Sequence, residues 1–324
     1  MTKRALLTIS ATLALVMLVS ACDPFGLPAT RALENGAETM LRSANSYEIK
    51  GQYTAGGKRW TIDMQIVRPE TRHVMVSSGT DNLEAVIIGT NGFFRGREFL
   101  AKHVGSDPQS QALARAAGNA WWKDTVSLVP TLPNLTDGIA FRANFLGSAA
   151  SSRIDNQAVD GVDAVELSGA RADVYIASAA PYHLLRVHLN AGVAVDNVSD
   201  ADVTYSNVDH DFAISAPSDV INFSNLSTLP PVYTVVSVDT SACGSPCVVT
   251  ATLKNLGGLT GARAPSTVKF TMTDPTTRQA IGSCEAVVQP DVGYNSTTTA
   301  SCTIAGRPVN AAVVTATATN PGHA

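Results

Sequence analysis

Apolar residues at every second position, in short runs divided by turn residues, constrain this chain more than any other feature, because that period fits a sheet with one covered face. Trp60, Ile62, Met64 and Ile66 alternate with Thr61, Asp63 and Gln65, and Val74 and Val76 continue the pattern in the next run. Residues 84–88, 92–95 and 98–100 add shorter strands, with Thr90-Asn91-Gly92 as a hairpin turn. From Ser152 onward, residues 154–159, 162–167, 173–177, 183–189 and 195–205 repeat the motif at a spacing of about ten residues, which suits an antiparallel meander. Helical periodicity is confined to three places. Ala32, Leu33, Ala37, Met40 and Leu41 share a helix face within 29–44, weakened by Gly36. Asp107-Pro108 is a cap followed by a proline at the first helical position of a segment reaching Asn119, and a third helix falls within 132–146. The pattern predicts an α+β domain, with helices gathered on one face of a curved antiparallel sheet.

Ahead of this lies an export signal. Lys3 and Arg4 precede an apolar run from Ala5 to Val19, too short to span a bilayer, which ends at Val19-Ser20-Ala21-Cys22. That is the pattern of a bacterial lipobox, in which the thiol of Cys22 is acylated and becomes the mature N-terminus. The reading is residues 1–21 as signal peptide, 22–28 as lipidated tether, and a protein held by lipid on the outer face of the plasma membrane.

Four further cysteines, Cys243, Cys247, Cys284 and Cys302, lie in the last third, and in an oxidising compartment they read as two disulfides. A turn around Gly293 sets residues 285–288 and 297–300 as a hairpin with Cys284 opposite Cys302, which leaves Cys243–Cys247 as a staple across a Gly/Pro turn. A Pro/Ser/Asn-rich passage from Ala216 to Pro231 divides the mature chain, giving domains at 29–229 and 230–324. Charged residues are only 15% of the chain, against roughly 25% in ordinary domains. The net charge of −4 argues against nucleic acid as a partner.

The Ser43-Ala44-Asn45-Ser46 lead into the first strand, residues 85–95, Trp121-Trp122, residues 162–167 and 173–177, and Pro181-Tyr182-His183-Leu184-Leu185-Arg186-Val187 together resemble the LppX/LprG-type envelope lipoproteins and their LolA/LolB-like relatives. The resemblance covers about residues 29–223. It implies a half-barrel closed by helices around an apolar cavity that binds or carries a lipid or lipoglycan. On that reading Ile62, Met64, Ile66, Val74, Val76, Val86 and Ile88 supply the cavity wall, although a packed core would use the same residues. Asn255-Leu256-Gly257-Gly258, within a run of short strands, resembles CARDB-like immunoglobulin-fold modules, so a C-terminal all-β immunoglobulin-like sandwich is expected.

No hydrolase, metalloprotease or nucleotide-binding fingerprint occurs, so no catalytic residue, metal or cofactor is assigned. Asp209-His210-Asp211 and the group Asp196, Asp200 and Asp202 read as solvated surface, and Trp121 and Trp122 as core. The expected function is lipid binding by a tethered, non-enzymatic lipoprotein. The alternative is an interaction, adhesion or scaffolding lipoprotein that acts on an envelope protein through its C-terminal domain and has no cavity.

Overall fold

The computed structural model describes residues 26–125, 128–305 and 312–323. These fall into two compact units, one drawn from within 1–78 and 127–214 and the other from within 79–126 and 215–324.

The first unit opens with helix α1 (Thr30–Ser43), which buries Leu33, Ala37, Met40 and Leu41 along one stripe. Strands β1 (Ser46–Ala55), β2 (Lys58–Val67) and β3 (Thr71–Ser78) follow as a meander. The later strands are β7 (Ala150–Val159), β8 (Val162–Gly169), β9 (Ala172–Ala177), β10 (Leu184–Leu189) and β12 (Val198–Ser206), with the short β11 (Ala194–Val195) against β12. Their order is β3-β2-β1-β12-β10-β9-β8-β7, with every described pairing antiparallel. The link between the two meanders is the β1–β12 ladder, in which Ile49 faces Tyr205 and Gly51 faces Val203. A Cβ on Gly51 would stand 2.1 Å from the Asp202 carbonyl, so only glycine lets β12 approach there.

Helices α4 (Pro133–Thr136) and α5 (Gly138–Phe145) belong to the same unit, and α5 packs on α1. Glycines set this packing. A Cβ on Gly138 would lie 2.5 Å from the Glu38 carbonyl, and one on Gly36 would lie 2.5 Å from the Pro181 carbonyl. Gly36, a weakness by helix propensity, is therefore the residue that lets the 181–182 turn seat against α1. Across the helix pair Glu34, 7% exposed, accepts from Gly147 N at 2.9 Å and faces Arg142 Nη2 at 3.3 Å.

In the second unit, β4 (Asp81–Ile88), β5 (Asn91–Arg95) and β6 (Trp121–Asp124) run antiparallel, and β13 (Val220–Ile221) adds to β6 in parallel. Helices α2 (Arg97–His103) and α3 (Pro108–Ala117) lie between β5 and β6. The Asp107 carboxylate caps α3, accepting from Gln109 N and Ser110 N at 3.0 and 2.9 Å. Two three-stranded sheets complete the unit. One has the order β14-β15-β18 (Tyr233–Asp239, Cys247–Asn255, Thr297–Ile304), the other β17-β16-β19 (Ala280–Val287, Thr267–Thr273, Val313–Thr319). Val249, Leu253, Phe270 and Met272, drawn from both sheets, share one buried cluster.

The expected fold class is corrected on this evidence of strand content. The chain is mostly β, and the α+β half-barrel joined to an immunoglobulin-like sandwich does not describe it. The described helices are short, α1 being the longest at 14 residues, while alternating runs supplied with β-branched Val, Ile and Thr carry most of the remaining described chain into strands. The sheet that contains β6 and β13 is mixed, whereas the turn pattern suggested antiparallel pairing alone. The passage 216–231, read as a divider, contains β13 and a 3-10 turn (Leu226–Thr228), and Leu229 is fully buried. Two-residue strands are too short to produce a period.

Candidate functional site

The predicted wall residues are placed as follows. Ile62 pairs with Val76 and Met64 with Val74 across β2 and β3, so the four side chains share one face. Ile66, on the same face of β2, pairs with Arg72. Val86 and Ile88 stand on β4 in the second unit, opposite Phe93 and Asn91. On β4 the residues Leu83, Ala85 and Ile87 are all buried and alternate with Glu84, Val86 and Ile88, of which only Val86 is buried. In the unbroken run Ala85-Val86-Ile87-Ile88 the sequence cannot mark which face is covered, because both are apolar.

Above the sheet of the first unit, two tyrosines fix the α4 segment. Tyr47 Oη donates to the Thr136 carbonyl at 2.9 Å and Tyr205 Oη to the Leu135 carbonyl at 2.8 Å, with ring centroids 6.5 Å apart. Burial pushes both hydroxyls above their ordinary pKa, which keeps them neutral donors. Phe141 and Phe145 on α5 sit 5.2 Å apart, both buried. None of these four aromatics figured in the sequence reading, and their signal there is no stronger than that of any isolated aromatic.

The acidic residues are held apart by different partners. Asp196 accepts from Asn134 N at 2.9 Å, Asp202 takes both ends of the Arg186 guanidinium at 2.7 and 2.6 Å, and Asp209 accepts from Asn45 N at 2.7 Å. The Arg186 hydrogen bonds hold the Asp202 carboxyl below its usual range. Trp121 and Trp122 divide their roles. Trp122 is 1% exposed between Phe94 at 5.1 Å and His103 at 5.4 Å, so it belongs to the core as expected. Trp121, only half-buried, lies under the Arg95 guanidinium at 4.8 Å. It lines a cleft of about 560 Å3 with Arg97, Arg115, Asp219, Arg263 and His323, a group too dispersed in sequence to form a motif.

Cys243 and Cys247 are joined at an S–S distance of 1.92 Å, and Cys284 and Cys302 at 1.91 Å. These are bonds of an oxidising compartment and fit an exported protein. Cys284 and Cys302 do not face each other across one hairpin, as the turn at Gly293 suggested. Cys284 lies on β17 beside Phe270 of β16, and Cys302 on β18 beside Val249 of β15, so the bond joins the two three-stranded sheets. The expected signal peptide, Cys22 and the start of the expected tether lie outside the described residues. No described helix is long and apolar enough to cross a membrane.

No family model matches the chain, and no curated protein matches it. Among solved structures, a crystal structure of MucB is similar over 86% of this chain and 93% of its own, at 12% identity and a TM-score of 0.32. A crystal structure of MucB in complex with MucA covers 84% and 93%, at 10% identity and a TM-score of 0.28. The MucA/MucB complex of Pseudomonas aeruginosa covers 84% and 94%, at 12% identity and a TM-score of 0.28. Superpositions this loose do not establish a common fold.

Proposed function

We propose that this chain is a membrane-tethered, non-catalytic envelope protein that works by presenting its strand-rich body to an envelope partner, with the aliphatic wall serving as core. The observation that supports this reading is the closure of the β2–β3 part of that wall: Met64 and Val74 are 0% exposed, and Ile62 and Val76 are 3% and 5% exposed. A site that takes an acyl chain presents apolar surface to it. Carriage of a lipid or lipoglycan, which the family resemblance implies, requires this packing to open first.

Substitution separates the two readings. Val76→Trp overpacks a filled core and is expected to destabilise the protein by about 1–3 kcal/mol. The wild type, stripped of lipid, is expected to take up no fluorescent acyl probe. Saturable uptake by the wild type, lost in Val76→Trp without a change in thermal unfolding, would restore the lipid-carrier reading.

Attachment is tested separately. In Cys22→Ala the protein is expected to leave the membrane fraction or to accumulate uncut. Normal cleavage with membrane retention would remove the lipid anchor from the proposal.

A further inference from the structure

Four arginines from separate segments of the second unit converge on the cleft beside Trp121. Arg95 ends β5, Arg97 opens α2, Arg115 lies in the last turn of α3, and Arg263 precedes β16. Their commitments differ. Arg95 donates through Nε to Glu84 Oε2 at 3.0 Å while its guanidinium covers the Trp121 ring. Arg263 donates through Nε to the Pro321 carbonyl at 2.7 Å. Arg97 and Arg115 are exposed and make no side-chain hydrogen bond or ion pair among the described residues.

The backbone builds the remaining wall. His323 N donates to the Ala116 carbonyl at 2.7 Å, and a Cβ on Gly322, whose φ is 82°, would stand 3.0 Å from the Arg115 carbonyl. Glycine is therefore what allows the 321–323 segment to seat against the end of α3. The lining's carboxylate, Asp219, is 76% exposed and faces His323 Nε2 at 3.1 Å, so it does not neutralise Arg97 or Arg115.

We propose that this cleft is a binding site for a phosphate-bearing ligand. The chain carries a net charge of −4, so a local excess of guanidinium opposes the field of the whole and selects anions at one place. The lining cations are all arginine, whose planar fork gives paired hydrogen bonds to oxyanions that a lysine ammonium cannot match. A tetrahedral phosphate offers oxygens in several directions to forks arriving from separate segments, whereas a planar carboxylate is filled by one or two. A volume of about 560 Å3 admits a phosphorylated group larger than a free ion. This site stands whether or not the aliphatic wall takes a lipid.

The chemistry has two sources, an anionic lipid headgroup or a soluble phosphorylated compound, and one titration distinguishes them. The full chain, in the presence of phosphatidylcholine nanodiscs, is titrated with inorganic tripolyphosphate by calorimetry and by tryptophan fluorescence, to which Trp121 contributes. Saturable binding is expected, weakened at least tenfold in R97Q/R115Q and at least threefold in R97K/R115K, with thermal unfolding unchanged because both side chains are exposed. Phosphatidylglycerol nanodiscs that weaken the apparent affinity assign the site to a headgroup, and an unchanged affinity assigns it to a soluble ligand. No saturable binding, equal binding by wild type and R97Q/R115Q, a lysine pair as tight as wild type, or equal affinity for citrate overturns the proposal.

Discussion

Asn255→Ala is expected to lower the stability of the second unit by about 4 kcal/mol, although it removes only one small side chain. Asn255 is fully buried at the end of β15 and uses its whole amide. Oδ1 accepts from Val232 N and Gly257 N, each at 2.9 Å, and Nδ2 donates to the carbonyls of Gly258 at 2.8 Å and Val292 at 2.6 Å. Alanine strands all four backbone groups, and a buried group left unpaired costs about 1–3 kcal/mol. Water entering the vacated space offsets part of the sum, hence a figure nearer 4 than 8. Asn255→Asp is informative beside it: the two acceptor contacts survive, but the Gly258 and Val292 carbonyls then face an acceptor, so a comparable loss is expected. Denaturant unfolding of the full chain reads both variants, and a loss below about 1 kcal/mol for Asn255→Ala would show that the amide is not the junction described.

The same residue shows how far the sequence could be read. Asn255-Leu256-Gly257-Gly258 stood out as a phrase, but its physical content needed the fold. A Cβ on Gly257 would lie 2.0 Å from the Pro230 carbonyl, and one on Gly258 would lie 2.1 Å from the Ser227 carbonyl. Close backbone approach fixes these residues, and neither period nor propensity encodes it. What local chemistry determines was legible. Period two located β2, where Ile62, Met64 and Ile66 are the buried positions, and the Asp107-Pro108 pair marked the start of α3. Pairings between distant segments were not, because hydrophobic alternation says which face of a strand is apolar without naming the neighbour. The β1–β12 ladder and the parallel β6–β13 contact both belong to this class.

The candidate sites divide along the same line. Cross-strand pairs within one meander, Ile62–Val76 and Met64–Val74, follow from a short turn and could be foreseen. The arginine cleft could not, since Arg95 and Arg263 are brought together by the fold alone. On β4, where both faces are apolar, the sequence does not separate them, and Val86 is as buried as Ile87 on the opposite face.

Removing the Cys284–Cys302 bond as a pair of alanines is expected to cost about 3 kcal/mol, and removing Cys243–Cys247 about 2 kcal/mol, because loop-closure entropy grows slowly with the length of the loop. The sequence separations are 18 and 4 residues. The difference in consequence exceeds the difference in energy. Cys243–Cys247 closes a turn just ahead of β15, and the β15 ladders to β14 and β18 remain without it. Cys284–Cys302 instead joins β17 to β18, which take their backbone hydrogen bonds from β16 and β15 in different sheets. Without that bond, contact between the two sheets rests on the shared cluster around Phe270, Met272, Val249 and Leu253. Cys284→Ala/Cys302→Ala should therefore increase hydrogen exchange at Val268, Phe270 and Met272 more than Cys243→Ala/Cys247→Ala does. A hairpin staple would confine its effect to the two strands it joins and leave β16 protected. Equal protection of β16 in both double variants would show that the Cys284–Cys302 bond does not hold the two sheets together.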